Sequence, residues 1–119
     1  MSAGSASLRD LLSRFNLRGK GAIITGAAGA FGRACALTLG ALGGKLVLIS
    51  GSDGELQAVK AGVQAVGGEV VTLVRCPDSV EDANAIRDFA RKSFGRIDQL
   101  VIASGYDKAG FIPVCRWRV

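Results

Sequence analysis

The chain has 119 residues, enough for one domain with a core of its own. An apolar fraction of 49% and a charged fraction of 21% exclude a disordered or fibrous chain, and the 17 glycines are about twice the usual frequency. The net charge of +5 comes from basic residues scattered between Arg9 and Arg118, with no dense run and no interleaved aromatics, so no nucleic-acid partner is expected.

Residues 1–16 read as an extension. Leu8, Leu11, Leu12 and Phe15 recur at helical spacing, with Ser7 as a candidate N-cap, which predicts a short amphipathic helix broken by Gly19-Lys20-Gly21. Ala22-Ile23-Ile24-Thr25 is an apolar run bounded by glycines and suits a strand buried on both faces. A glycine-rich turn follows, and a helix is predicted over about residues 31–42, with Ala34, Leu37, Thr38 and Ala41 on one face and Gly43-Gly44 at its end.

Leu46-Val47-Leu48-Ile49 reads as the second strand. Leu56, Val59, Val63 and Val66 form the stripe of a second helix, closed by Gly67-Gly68. Residues 70–74 predict a third strand, and Pro77 marks the turn after it. Asp78 or Ser79 can cap a third helix whose buried face is expected to carry Ala83, Ile86, Ala90 and Phe94, with Gly95 as its stop. Leu100-Val101-Ile102-Ala103 is the fourth strand. Strands alternating with helices on short connections predict an α/β fold with a parallel sheet and helices on both faces, over residues 17–105. Residues 106–119 show neither period and read as an irregular tail, with a frameshifted or alternatively spliced end as one explanation.

Cys35, Cys76 and Cys115 contain no CxxC pair, and histidine is absent, which removes most zinc arrangements; no metal site is expected. Cys35 reads as a small core residue. The sequence contains no apolar stretch of membrane length and no apolar N-terminal core of signal-peptide type, so a reducing, cytoplasmic setting without a membrane partner is expected.

The segment that carries chemistry is Thr25-Gly26-Ala27-Ala28-Gly29-Ala30-Phe31-Gly32, between a buried strand and a helix. Gly26 lets the chain turn sharply out of the strand, and Gly32 lets the helix pack close. Free N–H groups at the helix start, aided by the helix dipole, then suit a pyrophosphate. Gly26, Gly29, Ala30, Phe31 and Gly32 are therefore candidate cofactor-binding residues. A glycine-rich tight turn in another α/β fold is the alternative.

This turn resembles the TGxxxGxG loop of the short-chain dehydrogenase/reductase family, with Ala30 at the middle glycine, and it fits the TGxxGxxG variant through Gly26, Gly29 and Gly32. Leu17-Arg18-Gly19-Lys20 looks like the family's lead-in to the first strand, and Phe94-Gly95-Arg96-Ile97-Asp98 looks like its lead-in to the fourth. There the family continues into Asn-Asn-Ala-Gly, whereas this chain has Ile102-Ala103-Ser104-Gly105. The resemblance implies a three-layer, Rossmann-like doubly wound sheet of order 3-2-1-4, cut to about four strands. It also implies a nicotinamide dinucleotide as the partner and hydride transfer to or from an alcohol or carbonyl compound. Ala103, Ser104 and Gly105 would line the cofactor's ribose side, with the Ser104 side chain read first as a small residue at a strand end. A positive φ at Ala30 would cost about 1–2 kcal/mol.

Cofactor choice is read after the second strand, where Ser50 and Ser52 stand with no carboxylate ending the strand; this favours NADP over NAD, unless both serines only shape the turn. Asp78 is the candidate for the family's acidic residue near the adenine, or else a helix cap. Tyr106 is followed by Gly110 where the family's Tyr-x-x-x-Lys pair has its lysine, so it is no match. The family's catalytic Ser, Tyr and Lys come from segments after the fourth strand. No catalytic residue is therefore assigned, and the chain alone is expected to be inactive. A non-catalytic dinucleotide-binding module and a truncated product without function are the competing readings. The fourth strand, left at an edge, is expected to drive self-association.

Overall fold

The computed structural model describes residue 11 and residues 13–104. Within them the order is β1 (Gly21–Thr25), α1 (Ala30–Ala41), β2 (Lys45–Ser50), α2 (Asp53–Ala65), β3 (Glu69–Val74), α3 (Val80–Phe94) and β4 (Gln99–Ile102). The four strands form one sheet in the order β3-β2-β1-β4, and every pairing is parallel.

Parallel strands need crossovers, and the helices supply them. β1, with neighbours on both sides, is buried along its whole length, as is β2 from Leu46 onward. This is why their sequences read as unbroken apolar runs and do not alternate. The two faces of the sheet have separate cores. Ala22, Ile24, Leu46, Leu48 and Val70 pack with Ala36 of α1 and Leu56, Val59 and Val63 of α2. Ile23, Val47 and Ile49 pack with Ile86 and Ala90 of α3. Two helices on one face and one on the other make the sheet doubly wound.

The helix stops follow the glycines. α3 ends on Gly95 in the left-handed conformation, its N–H returning to Arg91 O at 2.8 Å. Its start is capped by Ser79, whose Oγ accepts from Asp82 N at 3.1 Å. Asp78 is therefore not the cap; its own N–H donates to Cys76 O at 2.8 Å.

Three helical faces differ from the apolar stripes. In α1 the buried positions are Gly32, Ala36 and Gly40, while Ala34, Thr38 and Ala41 are exposed. The helix lies close enough to its neighbours that its smallest residues turn inward, and a search for apolar side chains misses a glycine face. In α3 Ile86 and Ala90 are buried, Phe89 and Phe94 are half-buried, and Ala83 is exposed. Val66 lies beyond the end of α2 and is exposed. Of the N-terminal stripe, Leu11 and Phe15 lie on the surface at 48% and 63% exposure, outside both core clusters. Ser7, Leu8, Leu12 and the 106–119 tail lie outside the described residues, as do Gly105 and Tyr106.

Among the described residues β4 is the edge, hydrogen-bonded only to β1. Register puts Leu100 beside Ile23 and Ile102 beside Thr25, on the α3 face. α3 does not reach over them, and they are 60% and 70% exposed. No helix among the described residues is long and apolar enough to cross a membrane.

Candidate functional site

All four strands point their C-terminal ends to one edge of the sheet, and the candidate residues gather there. β1 runs directly into the turn. Gly26 has φ +65°, a left-handed backbone, and a Cβ on it would come within 2.5 Å of Ser104 N and 2.7 Å of Ala103 C. Ala27 N donates to Ile49 O at 3.1 Å, and Gly29 N donates back to Gly26 O at 3.1 Å, closing the turn. A Cβ on Gly32 would overlap the Gly26 carbonyl oxygen. The turn and the first turn of α1 are thus pressed together, with their backbones forming the wall.

α1 starts differently from α2 and α3. Its N-cap is Gly29, which has no side chain to bond the first amides, and its first turn carries no acid. The N–H groups of Ala30, Phe31 and Gly32 have no acceptor among the described residues. α2 has Asp53 and Glu55 in its first turn, and α3 has Glu81, Asp82 and the Ser79 cap. The positive end of the α1 dipole is therefore left for an anion. Ala30 is the first residue of the helix, where φ is negative, so its methyl brings no left-handed strain. Phe31 is 66% exposed at the mouth of the turn.

At the end of β2, Ser50 is buried and its Oγ accepts from Ser52 N at 3.2 Å, so it shapes the turn into α2. Ser52 is the N-cap of α2, but its hydroxyl makes no capping bond. Arg75, just past β3, donates its N–H to Ser50 O at 3.0 Å. Its guanidinium reaches across to Asp82 at 2.6 Å. The Ser79 hydroxyl, followed by Arg75, holds the Asp82 carboxyl below the usual range. Cys76 is buried, with its Sγ 3.1 Å from where a Cβ on Gly51 would stand. Asp78 is exposed on the same side.

After β4, Ala103 N donates to Thr25 O at 3.1 Å, and Ser104 Oγ lies 3.0 Å from Thr25 Oγ1. The structure therefore brings Gly26, Gly29, Ala30, Phe31, Gly32, Ala103 and Ser104 together around one turn. Ser50, Ser52 and Asp78 stand farther along the same edge. Thr25 escaped the sequence reading; the signal for it is the one hydroxyl that ends an otherwise apolar buried strand.

The opposite edge has its own polar lock. Gly21 N donates to Asp98 Oδ2 at 2.8 Å, Asp98 N donates to Gly21 O at 2.8 Å, and Arg96 grips the carboxylate through two bonds of 2.7 Å. Arg96, followed by the Gly21 amide, lowers the Asp98 carboxyl to about 2. An open cleft of about 320 Å³ lined by Arg87, Arg91, Gly95, Arg96 and Ile97 lies at this end, away from the glycine turn. Among the described residues there is no group of three or more His, Cys, Asp or Glu side chains able to hold a metal ion.

With this geometry in place, the comparison with known proteins is specific. Residues 20–115 match the short chain dehydrogenase family, a span from the foot of β1 past the end of β4. The chain belongs to that family. An uncharacterized oxidoreductase of Mycobacterium tuberculosis, Rv1714, is 36% identical over 95 residues, which is 79% of this chain and 34% of that protein. A metagenomic short-chain oxidoreductase solved in complex with NADP superposes with a TM-score of 0.67 at 32% identity, covering 71% of this chain and 38% of that one. An NAD+-bound xylitol dehydrogenase superposes with a TM-score of 0.69 at 28% identity, covering 81% and 39%. The chain thus spans about a third of the curated relative's length. The parallel sheet of order 3-2-1-4 with helices on both faces matches the Rossmann-like α/β fold of short-chain dehydrogenases.

Proposed function

We propose that the chain binds a nicotinamide dinucleotide, NADP(H) or NAD(H), with its pyrophosphate against the turn between β1 and α1. The observation that carries this reading is the start of α1, where three amides without acceptors, no acid and a glycine-lined backbone meet. A negatively charged diphosphate supplies the missing acceptors, and the residues present fit it. Gly26 and Gly32 keep the wall free of side chains, Phe31 stands at the mouth, and Ala103 and Ser104 form the opposite wall. Ser52 and Asp78 stand farther out along the edge, toward the adenosine end.

When bound, the nicotinamide supplies or accepts a hydride. The whole protein is an oxidoreductase acting on an alcohol or carbonyl compound, and this chain contributes cofactor binding and orientation. None of the described residues is assigned proton transfer, and no turnover is expected from them alone.

For the two cofactors, the lack of a carboxylate ending β2 favours a 2′-phosphate, while Asp53 and Glu55 at the start of α2 oppose one. Calorimetric titration of the chain with NADPH and separately with NADH tests both points. Saturable binding supports the site, and the tighter ligand names the cofactor. No binding of either at millimolar concentration overturns the reading.

A second proposal concerns the 119-residue chain taken alone: it self-associates along β4. Among the described residues the strand has no neighbour on its outer side, beside exposed Leu100 and Ile102, and a second copy offers the same edge in return.

A further inference from the structure

The edge of the sheet opposite the glycine turn gathers arginines. Arg87 and Arg91 are four residues apart on α3 and so share one helical face. α3 stops at Gly95, whose φ of +78° turns the chain back, and Arg96 follows at once. These three arginines, with Gly95 and Ile97, line the open cleft of about 320 Å³. Like charges four residues apart cost a helix stability. The helix dipole does favour a cation in the last turn, but Lys92 already supplies one there without lining the cleft.

The guanidiniums are unequally engaged. Arg87 turns Nε and Nη2 to Asp88, at 3.1 and 3.0 Å. Arg96 turns Nε and Nη2 to Asp98, both at 2.7 Å. The Arg91 guanidinium has no hydrogen-bond or ion-pair partner among the described residues. The donors left over are Nη1 of Arg87, Nη1 of Arg96 and the whole fork of Arg91. Three guanidiniums meet only two paired carboxylates, so the cleft stays positive. Arg96 is also held in place, because Asp98 accepts from Gly21 N at 2.8 Å as it grips the guanidinium. A donor fixed beforehand loses less freedom when a ligand arrives.

We propose that this cleft is a phosphate-binding site separate from the glycine turn, for a small soluble ligand carrying a phosphate or diphosphate group. Phosphate oxygens meet a guanidinium fork in pairs, and Arg91 offers a fork with no competing carboxylate. Arg87 and Arg96 flank it with one free nitrogen each. The site stands at the other edge of the sheet from the proposed dinucleotide site and does not depend on it.

Inorganic pyrophosphate is the probe, titrated into the full chain by calorimetry and by NMR, which resolves each backbone amide. Saturable binding is expected, with the largest shifts at the Gly95, Arg96 and Ile97 amides. Arg91→Gln is expected to weaken it about tenfold. Arg91→Lys keeps the charge but not the fork, and weakens it about threefold. Lys92→Gln removes the same charge one residue away, outside the cleft, and stays within about twofold of the parent. Arg91 and Lys92 are exposed, so the ligand-free variants should melt with the parent. No saturable binding at millimolar pyrophosphate overturns the proposal. Equal weakening by Arg91→Gln and Lys92→Gln also does, since diffuse charge alone would then be responsible. Shifts confined to the Gly26 to Gly32 amides overturn it as well, by assigning the pyrophosphate to the glycine turn. So does pelleting with phosphatidic acid vesicles in place of pyrophosphate binding, which would make the ligand a membrane surface. A chain whose cleft amides respond to pyrophosphate but which binds neither NADPH nor NADH removes the dinucleotide reading and leaves this site standing.

Discussion

Gly32 sits so close to Gly26 that the Cβ it lacks would overlap the Gly26 carbonyl oxygen. This contact is backbone against backbone, so no side chain can rotate away to make room. Gly32→Ala must push the start of α1 off the turn. It is expected to lower stability by about 1–3 kcal/mol, read as a fall in the urea midpoint, and to abolish dinucleotide binding. An unchanged midpoint with binding intact would contradict this packing.

Ala30 is the counterpart. As the first residue of α1, exposed and at negative φ, its methyl blocks nothing among the described residues. Ala30→Gly is expected to leave NADPH and NADH affinity within about two-fold of the parent and to change stability by less than about 1 kcal/mol. A tenfold gain in affinity on removing the methyl would show that it does crowd the phosphates.

Ser79 and Asp82 bond reciprocally at the start of α3. The Asp82 amide donates to Ser79 Oγ at 3.1 Å, and the Ser79 hydroxyl donates to Asp82 Oδ2 at 2.9 Å. Ser79→Ala is expected to lower stability by about 1 kcal/mol, read from the urea midpoint. Asp78→Ala, one residue earlier and not the cap, is expected to have a smaller effect. The reverse order would move the cap to Asp78.

Asp98 makes the fold acid-sensitive. Its carboxyl is held at about 2, chiefly by Arg96 and then by the Gly21 amide. An unfolded aspartate titrates near ~3.9, so the folded state holds its charged form more firmly. The stabilisation is complete above about pH 4 and is lost as the pH falls through about 2. The carboxylate is open to solvent, which keeps the effect modest. Melting points of the parent and Asp98→Asn should differ at about pH 6 and converge near about pH 2. A constant difference across that range would remove Asp98 from the acid response.

Leu100 and Ile102 give the self-association proposal its handle. Both are exposed on an edge strand, so Leu100→Lys/Ile102→Lys should not disturb the packed core. Sedimentation is expected to show concentration-dependent association for the parent chain and a monomer for the double variant. A parent chain that stays monomeric at high concentration would end that proposal.

The order of elements needed no tertiary information. Ile23, Ile24, Val47 and Leu48 lie in short apolar runs between glycines, and such runs are stable only as strands covered on both faces. Gly43, Gly67 and Gly95 mark helix ends because all three adopt a positive φ that other residues avoid. The turn from Gly26 to Gly32 was legible for the same reason, since a close backbone approach needs glycine whatever surrounds it. The α1 face was not legible. Its buried residues are Gly32, Ala36 and Gly40, and apolar periodicity is blind to a face chosen for smallness.

What the sequence determined by itself is local: which residues can turn, which must be covered, and which helix start follows a glycine-rich turn. What the tertiary structure alone decided is which ends meet. Thr25 and Ser104 are 79 positions apart, and their hydroxyls touch only because β4 pairs with β1 and leaves the sheet beside it. The same pairing sets Asp98 against Gly21 and Ser104 against the glycine turn. The physical reason is that turns and caps are fixed by the φ, ψ and bonding of a few neighbouring residues. Contacts between strand ends are fixed instead by sheet order and register, which depend on how two helical layers bury both faces of the sheet at once.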